Sequence, residues 1–289
     1  MNASSFTALT TFQRYAARVL LSLLPLLFLF AGELSAGINA SPKYIFLDGS
    51  RRSTPVAITN IGREEIEAWV EVKYGYVTSD DTGKVDIVYD SAADEPSAAA
   101  WVKAYPSRFI LSPGESQTIR LAASAPPAMR DGEYWARVLV TGKPRKPPAP
   151  VAGGRFQTGM VIITQLSLAF HYRVGMVATG VIVSDPKVTS DDRNVQIVLK
   201  LTRTGNASFW GTRLIRILDA SGKAVGPTVR KNVVVYKTLN VREVLDRKTV
   251  PPGRYTLDVE LLTDKRTDLP RSSLVQSPPA HLAIPIIIP

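Results

Sequence analysis

Few residues in this 289-residue chain have the type and spacing that chemistry needs. There are two histidines, His171 and His281, and no cysteine. The missing thiols exclude cysteine nucleophiles, disulfides and zinc–cysteine sites. Neither histidine has a His, Glu or Asp at ligand spacing, and no HExxH, GxSxG or Walker-type loop occurs. His171 falls on the polar face of an alternating segment and reads as a surface or groove-lining strand residue. His281 lies in a proline-flanked tail. The pairs Asp80–Asp81 and Asp191–Asp192 sit among turn residues, which makes them solvated turn carboxylates rather than metal ligands. Asn206-Ala-Ser208 spells a glycosylation sequon, but GNASFWG reads equally well as a turn entering a strand. The expectation is a protein that is not an enzyme and needs no metal or cofactor.

The elements that carry these residues are short alternating or β-branched runs, with no helical stripe of useful length. YIFL (44–47), TPVAITNI (54–61), EAWVEVKYGYV (67–77), KVDIVY (84–89), RFIL (108–111), QTIRLAA (117–123) and EYWARVLVTG (133–142) come first. Asp48-Gly49, Asp81-Thr-Gly83, Ser112-Pro-Gly114 and Asp131-Gly132 punctuate them. After Gly175 the pattern starts again, from VATGVIV (177–183) to AHLAIPIII (280–288). Many short strands between Gly, Pro and Asp turns predict an all-β chain of two immunoglobulin-like sandwiches, 41–175 and 176–289, each of about seven strands.

Residues 1–40 read as a secretory signal peptide. Arg14 and Arg18 precede the apolar run VLLSLLPLLFLFAG (19–32), and small residues follow at Ser35, Ala36 and Ala40. Cleavage after Ala36 or after Ala40 fits, and an uncleaved N-terminal anchor is the alternative. The run is shorter than the roughly 20 residues of a membrane span, so no stable membrane insertion is expected once the leader is removed. The net charge of +10, less two arginines and one glutamate in the leader, becomes +9. Its basic residues are scattered and carry no base-stacking aromatic motif, which argues against nucleic acid as a partner.

One strand is too long. GMVIITQLSLAFHYRVG (159–175) alternates an apolar even face, Met160, Ile162, Thr164, Leu166, Leu168, Phe170 and Tyr172, with a face that turns polar or small at Gln165, Ser167, Ala169, His171 and Arg173. A strand of ordinary length has about 5–6 residues. The proline-rich KPRKPPAPVAGG (143–154) precedes it.

Several segments, taken in order, resemble the periplasmic pilus-assembly chaperones. YPSRFILSPGESQTIRLAASAPPAMRDGEYWARV (105–138) matches the family's succession of proline, apolar strand, Pro-Gly, polar-x-Arg strand and acidic-Tyr strand opening. SPKYIFLDG (41–49) resembles its basic-x-Ile-aromatic first strand, VAITNIG (56–62) its second, and Tyr172-Arg173 the close of its last first-domain strand. The resemblance covers most of 42–175. Over 176–289 it rests on a second all-β domain and on LTRTGNASFWGTRL, broadly like the family's Asn-x-Ser/Thr strand opening.

The resemblance implies two immunoglobulin-like domains at an angle with a cleft between them, exported to the periplasm. It implies partners as well: pilus, fimbrial or related secreted subunits, and an outer-membrane usher that receives them. In the family the chaperone lends a strand to a subunit that lacks one, the donor-strand form of β-addition. Leu166–Arg173 would then complete the chaperone's own sandwich, while Phe156 to Ile163 is offered to the client. The donors are Met160 and Ile162 with Phe156 in phase, or Val161 and Ile163; a β-bulge lets the two portions differ in phase. The alternative is that 156–163 is one more core strand. Four donor side chains at about 1.5–3 kcal/mol each contribute on the order of 6–12 kcal/mol before ordering costs.

The family holds the client's C-terminal carboxylate with two basic residues. Lys43 matches the first. The second, a lysine four residues before the strand-closing arginine, falls at Ala169 and is absent, which leaves a single anchor, an anchor that uses His171, or none. Glu133 and Arg173 resemble charged residues placed near the interdomain joint, in a structural role. The reading from a different class is an exported structural or adhesive surface protein of two β-sandwich domains.

Overall fold

The computed structural model describes residues 37–89, 95–145, 161–264 and 266–289. Phe156 and Met160, most of the proline-rich segment and the leader up to Ala36 lie outside them.

In the first domain β1 (Ile38–Ser41), β3 (Ser53–Asn60), β9 (Ser116–Ala123) and β7 (Val102–Tyr105) form one sheet in the order β1-β3-β9-β7. The facing sheet runs β2-β11-β10-β4-β8, from β2 (Tyr44–Asp48), β11 (Thr164–Val174), β10 (Gly132–Pro144), β4 (Ile66–Lys73) and β8 (Arg108–Leu111). The first strand thus changes sheets. β1 pairs antiparallel with β3, and after Pro42 and Lys43 the chain pairs parallel with β11. Alternation does the sorting: Val56 and Ile58 on β3, Ile119 and Leu121 on β9, Val138 and Val140 on β10, and Leu168 and Phe170 on β11 all face one core. Asn60, fully buried at the end of β3, donates its amide to the carbonyls of Glu64 and Leu111 and accepts from the Gly62 N–H, which closes the turn of VAITNIG.

The second domain stacks β12 (Thr179–Ser190), β13 (Asn194–Gly205) and β16 (Thr238–Asp246) against β15 (Val229–Val235), β14 (Phe209–Leu218), β17 (Gly253–Leu262) and β18 (Ala280–Ile288). Val195, Ile197, Leu199 and Leu201 of β13 lead its core. The ladder of β12 and β13 shifts register between Ser184 and Lys187, at the bulge carrying Asp185 with φ +50°. The domains meet between Val174 and Thr179.

A hairpin of β5 (Tyr76–Ser79) and β6 (Val85–Val88) leaves the first domain after β4 and pairs with neither of that domain's two sheets. It lies against β16 instead, with the Asn240 N–H donating to Ser79 Oγ at 2.6 Å and the Asn240 side-chain amide to the Asp80 carbonyl at 3.0 Å. The run 67–77, expected as one strand, is divided at Tyr74–Gly75 to make this turn towards the second domain.

β1 is a strand the sequence reading did not separate from the leader. Ile38 and Ala40 are 5% and 2% exposed in the first core, and Gly142 of β10 leaves no space for a Cβ against Ile38. A cut after Ala40 removes both core residues, whereas a cut after Ala36 leaves β1 whole. Ile38→Ala is expected to lower unfolding stability by about 2–5 kcal/mol in urea titration, the range for emptying a buried aliphatic site. A loss below about 0.5 kcal/mol would mean that β1 does not close the core.

Candidate functional site: the interdomain joint and cleft

β10 from Trp135 to Gly142 and β11 from Leu168 to Tyr172 are buried on both faces. Their even residues enter the first core, and the odd residues from Glu133 to Arg137 and from Ala169 to Arg173 meet the second domain. The register sets Glu133 opposite Arg173, Trp135 opposite His171, and Arg137 opposite Ala169. From the second domain, β14 supplies Trp210 and Arg213, the turn before it Asn206 and Ser208, and the turn between β15 and β16 supplies Tyr236.

Glu133 is at the centre, with no exposed side-chain surface. Its Oε1 accepts from His171 Nδ1 at 2.9 Å, from the Ser208 N–H at 3.2 Å and from the Ser208 hydroxyl; its Oε2 accepts from Arg173 Nε at 3.0 Å. Trp210 Nε1 donates to Ser208 Oγ at 2.8 Å, and Arg173 Nη2 reaches the Ser273 carbonyl of the second domain at 2.7 Å. Burial alone would raise the Glu133 pKa; the bonds and charges of His171, Arg173 and Ser208 outweigh it and hold the group at about 2.

His171 is fully buried and not a surface or groove residue, which corrects the sequence reading. Its ring lies between Phe46 and Tyr236, stacked at 4.9 Å and 5.5 Å, and Trp210 meets it edge-on at 5.1 Å. Burial pushes its pKa below the usual value, against the opposing pull of Glu133. The neutral ring with its proton on Nδ1 donates to Glu133 and accepts the Tyr236 hydroxyl on Nε2 at 3.1 Å. Both nitrogens are occupied, so His171 is not available as a carboxylate anchor. His281 also has a partner that linear spacing did not reveal, Asp258 at 2.7 Å on the neighbouring strand.

The backbone around the joint is tied by Asn206. Its side-chain amide donates to the carbonyls of Asp131 and Met176, and its Oδ1 accepts from the Ala178 N–H at 2.8 Å. With Ser208 inside the Glu133 cluster, the sequon spells joint residues. Asp80 and Asp191 accept backbone N–H groups of their own turns. No group of three or more metal-ligating side chains occurs among the described residues.

Lys43 is exposed beside a cavity of about 500 Å³ that Arg51 and Asp268 also line, while its carbonyl accepts from the Ala169 N–H at 3.0 Å. Ala169 itself is buried. Val161, Ile162 and Ile163 are 45%, 38% and 55% exposed and precede the first ladder pair of β11 at Thr164. Trp210, Tyr236 and Arg137 were not singled out from sequence, and Ser208 only as part of Asn206-Ala-Ser208. The available signal was the shared odd phase of Glu133 and Arg137 with His171 and Arg173.

The fold and joint together define a two-domain β-sandwich protein with a cleft lined from both domains. No family model matches the chain and no curated protein matches it. Among solved structures it is similar to the CsuC–CsuE chaperone–tip adhesion subunit pre-assembly complex from archaic chaperone-usher Csu pili of Acinetobacter baumannii, at 17% identity over 86% of this chain and 98% of that one, with a TM-score of 0.40. It is also similar to the YadV chaperone, at 14% identity over 85% and 99%, TM-score 0.43, and to the E. coli chaperone DraB, at 13% over 77% and 89%, TM-score 0.38. Likenesses this distant carry no argument about function. No helix among the described residues is long and apolar enough to cross a membrane.

Glu133→Gln removes the charge but not the bulk, and leaves Arg173 half-paired in the joint. The expected loss is about 3–5 kcal/mol at pH 7. Folding lowers both proton affinities, His171 from 6.5 and Glu133 from 4.5. Their stabilisation is therefore complete above about pH 6.5 and is lost as pH falls, first that of His171 and then, from about 4.5 towards 2, that of Glu133. The gap between wild type and variant should shrink below pH 4.5 in denaturant titrations; a gap independent of pH would overturn this account.

Proposed function

We propose that the protein is a periplasmic chaperone that binds secreted pilus, fimbrial or related surface subunits by lending them a strand, and passes them to an outer-membrane usher. The observation that carries this reading is the run Val161-Ile162-Ile163, three exposed β-branched residues immediately ahead of β11. Such a run, outside the sandwich's own ladder, is an aggregation hazard unless another chain covers it. A subunit whose sandwich lacks a strand offers both backbone partners and an apolar groove. The sequence resemblance over 42–175 supports the same reading.

In this reading Val161, Ile162 and Ile163 belong to the donated segment, with Phe156 and Met160 upstream. Lys43, exposed beside β2, is the client-carboxylate anchor, a charge-assisted contact. Glu133 and Arg173 hold the joint, and binding rather than catalysis is the activity. Export uses the leader with cleavage after Ala36, because β1 begins at Ile38.

Coexpression with a subunit gene from the same locus should protect that subunit from proteolysis. Met160→Asp/Ile162→Asp or Val161→Asp/Ile163→Asp should abolish protection with little change in the chaperone's own unfolding. Protection surviving in both double variants would sink the donor-strand idea, and the adhesive surface-protein reading would then stand. Lys43→Ala should weaken capture while leaving thermal unfolding nearly unchanged. N-terminal sequencing of the exported protein should begin at Gly37.

A further inference from the structure

The β5–β6 hairpin closes on the turn Asp80-Asp-Thr-Gly-Lys84, and a turn of the same chemistry, Asp219-Ala-Ser-Gly-Lys223, occurs in the second domain. Asp80 Oδ1 accepts from the N–H groups of Thr82 and Lys84 and from the Thr82 hydroxyl, and Asp219 Oδ1 accepts in the same way from Ser221 and Lys223. Gly83 and Gly222 hold the same place in the two turns, with φ of +81° and +80°. Their surroundings differ. A Cβ on Gly222 would meet nothing within 4 Å, whereas one on Gly83 would lie 2.7 Å from Arg242 Cβ and 2.9 Å from the Arg242 backbone nitrogen. One turn faces solvent and the other is seated on the second domain.

The seat is the outer edge of a sheet. β16 ends the sheet β12-β13-β16. N–H groups along an antiparallel strand point alternately towards its partner and away from it. The Asn240 N–H points away from β13, to Ser79 Oγ, and the Asn240 side chain donates to the Asp80 carbonyl. Behind the tip, Val77 packs on the second core and the Lys237 ammonium lies over the Tyr76 ring at 4.7 Å. At the base, a Cβ on Gly75 would stand 2.8 Å from the Val88 carbonyl oxygen, so glycine is what lets the two strands close there. A two-stranded ribbon is marginally stable by itself, and this one is held in shape by what it rests on.

Beneath the hairpin, between the domains, lies a cavity of about 420 Å³. Val77, Gly83 and Val85 line it from the hairpin, Ser167 from β11, and Leu239 and Arg242 from β16. We propose that the hairpin is a lid over this cavity, latched by its Asp80–Lys84 tip on the outer edge of β16. Both bonds at the tip come from one residue, Asn240, so the latch opens as a unit. The Glu133 cluster draws its bonds from β11 and from the turn before β14, and lifting the hairpin leaves them in place. The lid rests on the hairpin's own contacts and holds whether or not a client strand is donated.

The chain has no cysteine, so Ser167→Cys places a single thiol at the cavity wall, and its rate of labelling by a maleimide reports access. With the hairpin intact the thiol should react slowly, because Ser167 Oγ is buried. Gly83→Val forces the tip off Arg242 and should speed labelling about tenfold or more, the signature of a lowered local opening cost. Gly222→Val carries the same strain of a positive φ with nothing to displace, and should leave the rate unchanged. Amide exchange by NMR reads the latch separately. The residue 240 N–H should exchange about tenfold faster in Gly83→Val, while Leu239 and Val241, whose N–H groups face β13, keep their protection. If Gly83→Val does not fold, Ser79→Ala combined with Asn240→Ala removes both bonds at the tip and decides by the same two readouts. Wild-type exchange at residue 240 in the released variant would overturn the latch, and fast exchange with wild-type labelling would overturn the lid.

Discussion

A carboxylate with no access to water organises this molecule. Glu133 comes from the first strand position after the Asp131-Gly132 turn, yet its partners come from β11 and from the turn that opens β14. A buried charge of this kind is tolerated only when every oxygen is paired. Arg173, His171 and Ser208 must therefore be in place together, and that fixes both the register of β10 against β11 and the seat of the second domain.

The rest of the joint follows from that requirement. His171 gives Glu133 a proton donor only if Nδ1 carries a proton and the ring is correctly turned, and the Tyr236 hydroxyl at Nε2 and the stack between Phe46 and Tyr236 hold it so. Lys237 and Tyr74 converge on Glu95 at a second point of contact between the domains. The β5–β6 hairpin adds a third, and Gly83, with φ +81°, lets the turn lie against the backbone of Arg242. Three separated contacts hold two sandwiches in one relative placement far better than a single linker from Val174 to Thr179.

Two-sided burial also explains how β11 divides. From Leu168 to Tyr172 successive residues are buried, the even ones by the first core and the odd ones by the joint. Ahead of Thr164 neither partner is present, and Val161 to Ile163 keep their apolar side chains in solvent. The change in burial along one chain segment separates what the protein needs for itself from what it can offer. Ala169 falls in that buried stretch, in one cluster with Trp135, Trp210 and Tyr236.

Alternation in the sequence was enough to place most strands, because a strand with one buried face writes its period into the residue types. The two-sandwich class and the turn roles of Asp80 and Asp191 needed little more, whereas the closeness of Glu133 and Arg173 to the joint was implied by the family resemblance. β1 was hidden because INAS is too short and too polar at Asn39 to stand out beside an apolar leader. The hairpin was hidden because its alternation is that of any strand, and nothing local says which sheet it will meet. Linear spacing also could not pair His171 with Glu133, 38 residues away, or Arg137 with Tyr236, 99 residues away. The sequence by itself determined where chain segments become strands and which residues face together on each. Only the tertiary structure decided that the polar face of β10 and β11 is buried against a second domain, since the partners that satisfy a buried charge are brought in by packing and leave no local pattern.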